Sequence, residues 1–235
     1  MNYAQLLSLA EDLGLHGRGA FHPTAEDGVP PLSDGRTVKT LVLLGAVGGS
    51  LWPAFSRSPE YHDGREHPLD RWSARVISHL ARTLGCEAVF PFGGPPHYPF
   101  QRWAQLAEPL TPSPLGLLIH PDYGLWHAYR GALLFPEELE LPARRAVSSP
   151  CESCIERPCL AACPVAAFKG GPYDVAACAS HLSRGPEICA EVACLARAAC
   201  PVGQSHRYPA AQAHFHISAF LRSHSGTDLI RGDKL

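Results

Sequence analysis

The chain has 235 residues, 46% of them hydrophobic and 18% charged, and a formal charge of −2. A chain this long buries about 70% of its unfolded surface, so it needs no covalent staples, and its composition excludes a disordered tail. With 20 Lys and Arg against 22 Asp and Glu and no run of like charges, neither general nucleic-acid binding nor polybasic membrane binding is expected, because both need clustered cations.

The first residues carry Glu11 and Asp12 and no basic lead, so no export signal is expected there. Leu6, Leu9, Ala10 and Leu13 share one face of a helix predicted over 2–14. Residues 37–47 form a β-branched and leucine-rich run, read as a buried strand that ends in the turn Gly48-Gly49-Ser50. Its segment Leu41 to Val47 is the longest apolar stretch and is too short to cross a bilayer. Residues 56–68 are polar and proline-punctuated and read as a loop. Leu69, Trp72, Val76, Leu80 and Leu84 then recur at helical steps, and Gly85 ends that helix.

A strand is predicted over 86–92, a proline-rich loop over 91–99 and a short helix over 100–108. Two further strands, 116–120 and 125–135, are joined by a turn at Pro121 to Gly124. Residues 137–150 are a polar connector. Alternating helices and strands give an α/β (α+β) domain over 1–145. The domain over 146–235 shows little regular pattern beyond 174–182 and a helix near 209–222. Neither G-x-G-x-x-G nor a Walker loop is present, so no dinucleotide or phosphate cradle is signalled.

Of the nine cysteines, eight fall between Cys151 and Cys200, and Cys86 stands apart. The odd number and the large neighbouring domain argue against a disulfide framework. The first set reads Cys151-x2-Cys154-x4-Cys159-x3-Cys163-Pro164, and the second is Cys178, Cys189, Cys194 and Cys200-Pro201. Bacterial two-cluster ferredoxins use C-x2-C-x2-C-x3-C-P, with the fourth cysteine ligating the other cluster. A short loop can deliver three thiolates to one side of an iron–sulfur cube. The fourth must come from elsewhere, and the proline after it turns the chain away.

By this crossed rule Cys151, Cys154, Cys159 and Cys200 hold one 4Fe-4S cluster, and Cys163, Cys178, Cys189 and Cys194 hold the other. The gap between Cys154 and Cys159 is wider than in the ferredoxin run, and the second set is looser still. Zinc is the alternative, since it also takes four thiolates. Thiolate clusters require a reducing compartment, so a cytoplasmic location is expected.

The segment Leu117-Leu118-Ile119-His120-Pro121-Asp122-Tyr123-Gly124-Leu125-Trp126, followed by Arg130-Gly131, resembles part of two related families. One is the epoxyqueuosine reductases with their reductive-dehalogenase relatives. The other is the CblC-type cobalamin-processing proteins. Residues 150–203 also resemble the cysteine domain of the epoxyqueuosine reductases, where a lone cysteine like Cys178 follows the first motif. The resemblance implies a nitroreductase-like domain, a two-cluster ferredoxin-like domain and cobalamin. By matching positions it places Ile119, His120, Pro121, Gly124 and Trp126 along a corrinoid pocket.

There are departures from both families. CblC proteins have a glycine pair where this chain has Gly124-Leu125. The glycine-lysine-asparagine loop of the reductases has no counterpart at Pro112 to Gly116, and the loop from Phe90 to Phe100 stands where their catalytic aspartate lies.

His97 and Tyr98, in that loop, are the candidate proton donors, since reduction pairs electrons with protons; an ordinary exposed loop is the alternative. His120 either bonds a corrin amide or closes its turn. The expected activity is that of an iron–sulfur oxidoreductase passing electrons to a corrinoid or other substrate in the N-terminal domain, supplied by a ferredoxin- or flavodoxin-type donor. A ferredoxin-type carrier that docks a partner enzyme is the rival. Reduction of epoxyqueuosine in tRNA is less favoured, given the charge balance and the missing acid.

Overall fold

The computed structural model describes residues 2–169, 171–184, 189 and 193–224. The chain divides into two compact units. The first comprises residues up to Thr111 together with Trp126–Ser149, and the second comprises Pro112–Leu125 with the described residues from Pro150 onward. The sequence suggests one boundary in the connector at 137–150. The chain in fact also leaves the first unit at Thr111 and returns at Trp126, so a contiguous 1–145 and 146–235 division omits this excursion.

The first unit is built on a four-stranded sheet in the order β1 (His16–Phe21), β2 (Thr40–Val47), β6 (His127–Phe135) and β3 (Glu87–Val89), and each neighbouring pair is antiparallel. All eight residues of β2 are buried. A strand flanked on both sides and covered on both faces reads as a continuous apolar run, which is why the pattern at 41–47 is legible. β1 carries no such run, because it holds two glycines and Arg18.

Helix α1 (Tyr3–Asp12) begins at an Asn2 and Gln5 capping box and buries Leu6 and Ala10. The short helices α2 (Trp52–Phe55) and α3 (Pro59–His62) follow β2. α3 occupies part of the predicted 56–68 loop and buries Glu60 beneath Arg75, its ion-pair partner.

The long helix α4 (Pro68–Leu84) starts with proline in its first turn and ends at Gly85. It turns Trp72, Val76, Ile77, Leu80 and Ala81 to the core. Each large apolar side chain so buried contributes about 1.5–3 kcal/mol. Helix α5 (Phe100–Ala107) buries Phe100, Trp103 and Ala104.

Just beyond α5, Glu108 lies against fully buried Arg18. The Arg18 Nε and Nη2 groups donate to the carboxylate at 3.1 and 2.7 Å, and Nη1 donates to the Ala46 carbonyl at 2.8 Å. The Tyr129 hydroxyl donates to the same carboxylate, and its ring lies 5.1 Å from the Arg18 guanidinium. Burial holds the Tyr129 phenol well above its usual range, and burial together with Glu108 pushes Tyr3 up to about 12. A buried charge pair of this kind is tolerated because every partner is hydrogen-bonded.

The second unit has short elements. β4 (Thr111–Pro112) and β5 (Leu118–Ile119) make a small ribbon. Then come α6 (Pro150–Ser153), α7 (Pro158–Ala161), α8 (Val175–Leu182), α9 (Leu195–Ala198) and α10 (Ala210–His224). Asp174 caps α8 by accepting from the Ala177 N–H at 2.9 Å. The core of the unit joins Leu115, Ile119, Leu125 and Ala196 to Cys159 and Cys200, with Cys151, Cys163, Cys194 and Phe168 packed against it. Among the described residues no helix is long and apolar enough to cross a membrane.

Candidate metal centre

The eight clustered cysteines all lie in the second unit, and none of the nine cysteines is in a disulfide. Cys151, Cys154, Cys159 and Cys200 line one cavity, together with Ile119 and Arg157. Cys178 interacts with Cys163 and Cys189, and Cys194 interacts with Cys178 and Cys163. Cys151, Cys154, Cys159 and Cys200 thus lie about one cavity, and Cys163, Cys178, Cys189 and Cys194 are near one another.

Local backbone explains how short segments manage this. Pro158 starts α7 in its first turn and Cys159 follows it, buried. Arg157, before it, takes a left-handed conformation that reverses the chain after Cys154. Pro164 and Pro201 turn the chain away after Cys163 and Cys200.

Backbone N–H groups point at the sulfurs. The Ala167 N–H donates to Cys163 Sγ at 3.3 Å, aided by the left-handed backbone at Ala166. The nearby backbone N–H groups of Leu160 at Cys159, of Arg197 and Ala196 at Cys194, and of Val202 at Cys200 act to lower those thiols. Burial raises the thiols of Cys159, Cys178, Cys194 and Cys200, and neighbouring sulfurs push them the same way. The nearby Tyr173 hydroxyl acts on Cys178 in the opposite direction.

This donor set suits iron and sulfide. Soft thiolates lie close together under apolar cover, and bound iron would offset their mutual repulsion. Among the described residues no group of three or more His, Cys, Asp or Glu side chains is set to hold a single metal ion. A cube carries its irons at separate corners, so its thiolates need not meet at one point.

The residues ascribed to a corrinoid pocket make their contacts within the chain. Ile119 is buried in the apolar core of the second unit and lines the first cysteine cavity. His120 closes its turn: its Nδ1 accepts from the N–H groups of Asp122 and Tyr123 at 3.0 and 3.2 Å, and its ring stacks on Tyr123 at 4.2 Å. Gly124 has a left-handed φ of 58°, and a Cβ there would overlap the Val202 carbonyl. A Cβ on Gly203 would likewise overlap the Tyr123 carbonyl. Two glycine turns thus meet backbone to backbone, and one of them follows Cys200-Pro201. Arg197 fastens the same segment by donating to the Leu125 carbonyl at 3.0 Å while lying 4.4 Å from the Tyr208 ring. Pro121 sits within this turn, half-buried. Trp126 belongs to the first unit, where it is buried and its carbonyl accepts from the Gly48 N–H at 2.7 Å.

His97 and Tyr98 are also in the first unit. His97 is exposed in its loop, and Tyr98 is half-buried with its ring stacked 5.8 Å from Trp103. Arg130 pairs with Asp70 and Ser73 beneath the Phe92 ring. Cys86, apart from the other cysteines, is pushed up to about 12 by burial, then by Glu137 and Glu87, which makes it an inert thiol.

Sequence reasoning missed the Arg197 clasp and the apolar wall of Leu115, Ile119 and Leu125. The signal for the wall was present as an apolar residue at each end of the 115–125 segment; its pairing with Cys159 and Cys200 was not legible.

No family model and no curated protein matches the chain. Solved structures do. An epoxyqueuosine reductase from Streptococcus thermophilus is 17% identical with a TM-score of 0.49, over 89% of this chain and 68% of that one. An epoxyqueuosine reductase bound to a modified tRNA-Tyr stem loop is 15% identical with a TM-score of 0.47, over 88% and 66%. The B12-trafficking protein CblC of C. elegans is 12% identical with a TM-score of 0.53, over 91% and 90%. The chain spans about two thirds of the length of these reductases. The similarity to the CblC structure agrees with a mixed α/β fold of a sheet and helices.

Proposed function

We propose that this chain is an iron–sulfur oxidoreductase that passes electrons from two 4Fe-4S clusters to a corrinoid or other substrate of the nitroreductase-like first domain. Cys151, Cys154, Cys159 and Cys200 hold one cluster, and Cys163, Cys178, Cys189 and Cys194 hold the other. The observation that supports this reading is the gathering of eight cysteines, none in a disulfide, four about one cavity and four near one another. When bound, such clusters supply one-electron transfer at potentials set by hydrogen bonding and burial. The chain's own residues do the rest: Leu115, Ile119 and Leu125 keep water from the sulfurs, and the backbone N–H groups hold the negative charge there. The corrinoid part of the proposal draws on the similarity to CblC and on the resemblance of the 117–131 segment.

The test is metal and sulfide analysis of anaerobically purified protein, with a visible spectrum after cobalamin is added. About eight irons per chain are expected for two 4Fe-4S clusters, with a perturbed corrin spectrum. Zinc in place of iron overturns the redox reading. Full iron with an unchanged corrin spectrum removes the corrinoid and favours the carrier. One observation favours that second reading: Ile155, next to Cys154, is 94% exposed, an apolar contact point at the edge of the first cysteine set. Action on tRNA rests on similarity to the reductases alone, against a formal charge of −2.

A further inference from the structure

Away from the cysteines, two stretches of the first unit lie side by side: residues 108–111, which follow α5, and residues 144–149 of the connector. They are tied at two points. The Arg144 Nη2 group donates to the Glu108 carbonyl at 3.3 Å, and the Thr111 and Ser149 hydroxyls lie 2.8 Å apart. The two stretches flank a cleft of about 290 Å³, lined by Pro109, Leu110, Thr111, Arg144, Arg145 and Val147 with Ala146.

The charged lining of this cleft is wholly positive. The acid next to it in sequence, Glu108, has its carboxylate committed to Arg18 and Tyr129. Among the described residues Arg144 enters no ion pair, and its bond to the Glu108 carbonyl uses one of its five N–H donors. The backbone N–H groups of Ala146 and Val147 bond to no described residue. Two neighbouring guanidiniums repel one another, and an oxyanion beside them turns that repulsion into attraction. The guanidinium fork matches the geometry of carboxylate and phosphate oxygens.

Charge and size narrow the choice. Two cations balance a phosphomonoester, which carries about two negative charges near neutral pH, better than a single carboxylate. The volume lies at the small end of ligand pockets, which run from about 300 to 1,000 Å³. Pro109, Leu110 and Val147 give an apolar wall for the carbon part of the ligand. Nucleic acid would need cations spread along a surface, whereas these two are adjacent in a chain of formal charge −2. We propose that the cleft between 109–111 and 144–147 is a binding site for a small organic phosphate, held by Arg144 and Arg145. A site made of guanidiniums carries no glycine-rich signature, which is why motif reading passes over it.

The test is calorimetric titration of the full-length protein at low ionic strength with phenyl phosphate, and with benzoate and inorganic phosphate as comparisons. One saturable phenyl phosphate site per chain is expected, with benzoate and inorganic phosphate each weaker. Arg144→Gln and Arg145→Gln are each expected to weaken phenyl phosphate by about tenfold or more, as loss of a charge-assisted bond does. Circular dichroism checks that the variants fold. Should Arg144→Gln unfold for want of its tie to Glu108, Arg145→Gln decides alone. No saturable binding overturns the proposal, and so does equal binding by wild type and the folded variants. Benzoate binding as tightly as phenyl phosphate overturns the phosphate assignment. A single-stranded RNA that binds more tightly than phenyl phosphate, and loses that advantage in Arg145→Gln, overturns the small-molecule assignment. The site uses no cysteine, so each outcome stands apart from the iron content on which the proposed function depends.

Discussion

In the first unit, β2 runs its full length without an exposed side chain, and Arg18 is neutralised in the interior by Glu108. In the second unit, α6, α7 and α9 are four residues each, and their buried surroundings are cysteines, alanines and a few aliphatic side chains. Helices of one turn do not hold themselves, because nucleation costs more than so few bonds return. The first unit has a core sufficient to order its elements. The second has a core rich in sulfur, and on the proposed function the binding of metal there would add to its folding free energy.

The most severe way to break this contrast is to remove the metal. Chelation of iron from anaerobically prepared protein is expected to abolish protection of 150–224 while leaving the first unit intact. Limited proteolysis with mass spectrometry reads this directly. Protection in both regions after iron loss would show that the second unit stands on its apolar contacts alone.

The converse disruption is Glu108→Ala, which leaves Arg18 buried without its carboxylate. A cost of about 3–5 kcal/mol is expected in denaturant unfolding, with iron content unchanged. A loss of iron in that variant would mean that the two units do not fail separately.

Gly124→Ala sharpens the comparison within the second unit. A β-carbon at that left-handed position would overlap the Val202 carbonyl. The backbone conformation itself costs about 1–3 kcal/mol for a residue other than glycine. Slower iron retention on dilution is expected, with unfolding of the first unit unaltered.

The smallest effect concerns acid. Arg75 holds the Glu60 carboxyl at about 2, below its ordinary 4.5. A lowered folded value means the contribution is full above about 4.5 and is lost as pH falls from there through about 2. Glu60→Gln is therefore expected to lower the melting temperature by about 2–4 °C near neutral pH, with the difference closing below pH 4. A difference independent of pH would point to packing and not charge.

Much of this contrast can be read in the chain before folding. The helical faces at 3–12 and 68–84 and the apolar run of β2 announce themselves, because each is a periodic pattern facing one core. The cysteine spacing is equally plain, since cluster chemistry ties sulfurs to nearby positions in sequence. β1 was not legible, because one of its two buried residues is an arginine whose partner lies 90 positions away. α3 was hidden among prolines. The turn at 120–124 presents a pattern that family resemblance assigns to a cofactor, and its close approach to Val202 and Gly203 was not legible. Long-range pairing of this kind leaves no local trace.

The excursion at 112–125 has a consequence for how the protein is made and cut. The wall that covers Cys159 and Cys200 leaves the ribosome before either cysteine, and before β6, the strand that completes the centre of the sheet. An apolar finger therefore waits through the closure of one unit for a partner that arrives later. A scission at the connector would not release a self-contained cysteine module. It would strand Leu115, Ile119 and Leu125 on one fragment and the sulfurs they shelter on the other. Any contiguous gene fragment that keeps the second unit whole must begin by Pro112 and carry β6 along as a passenger.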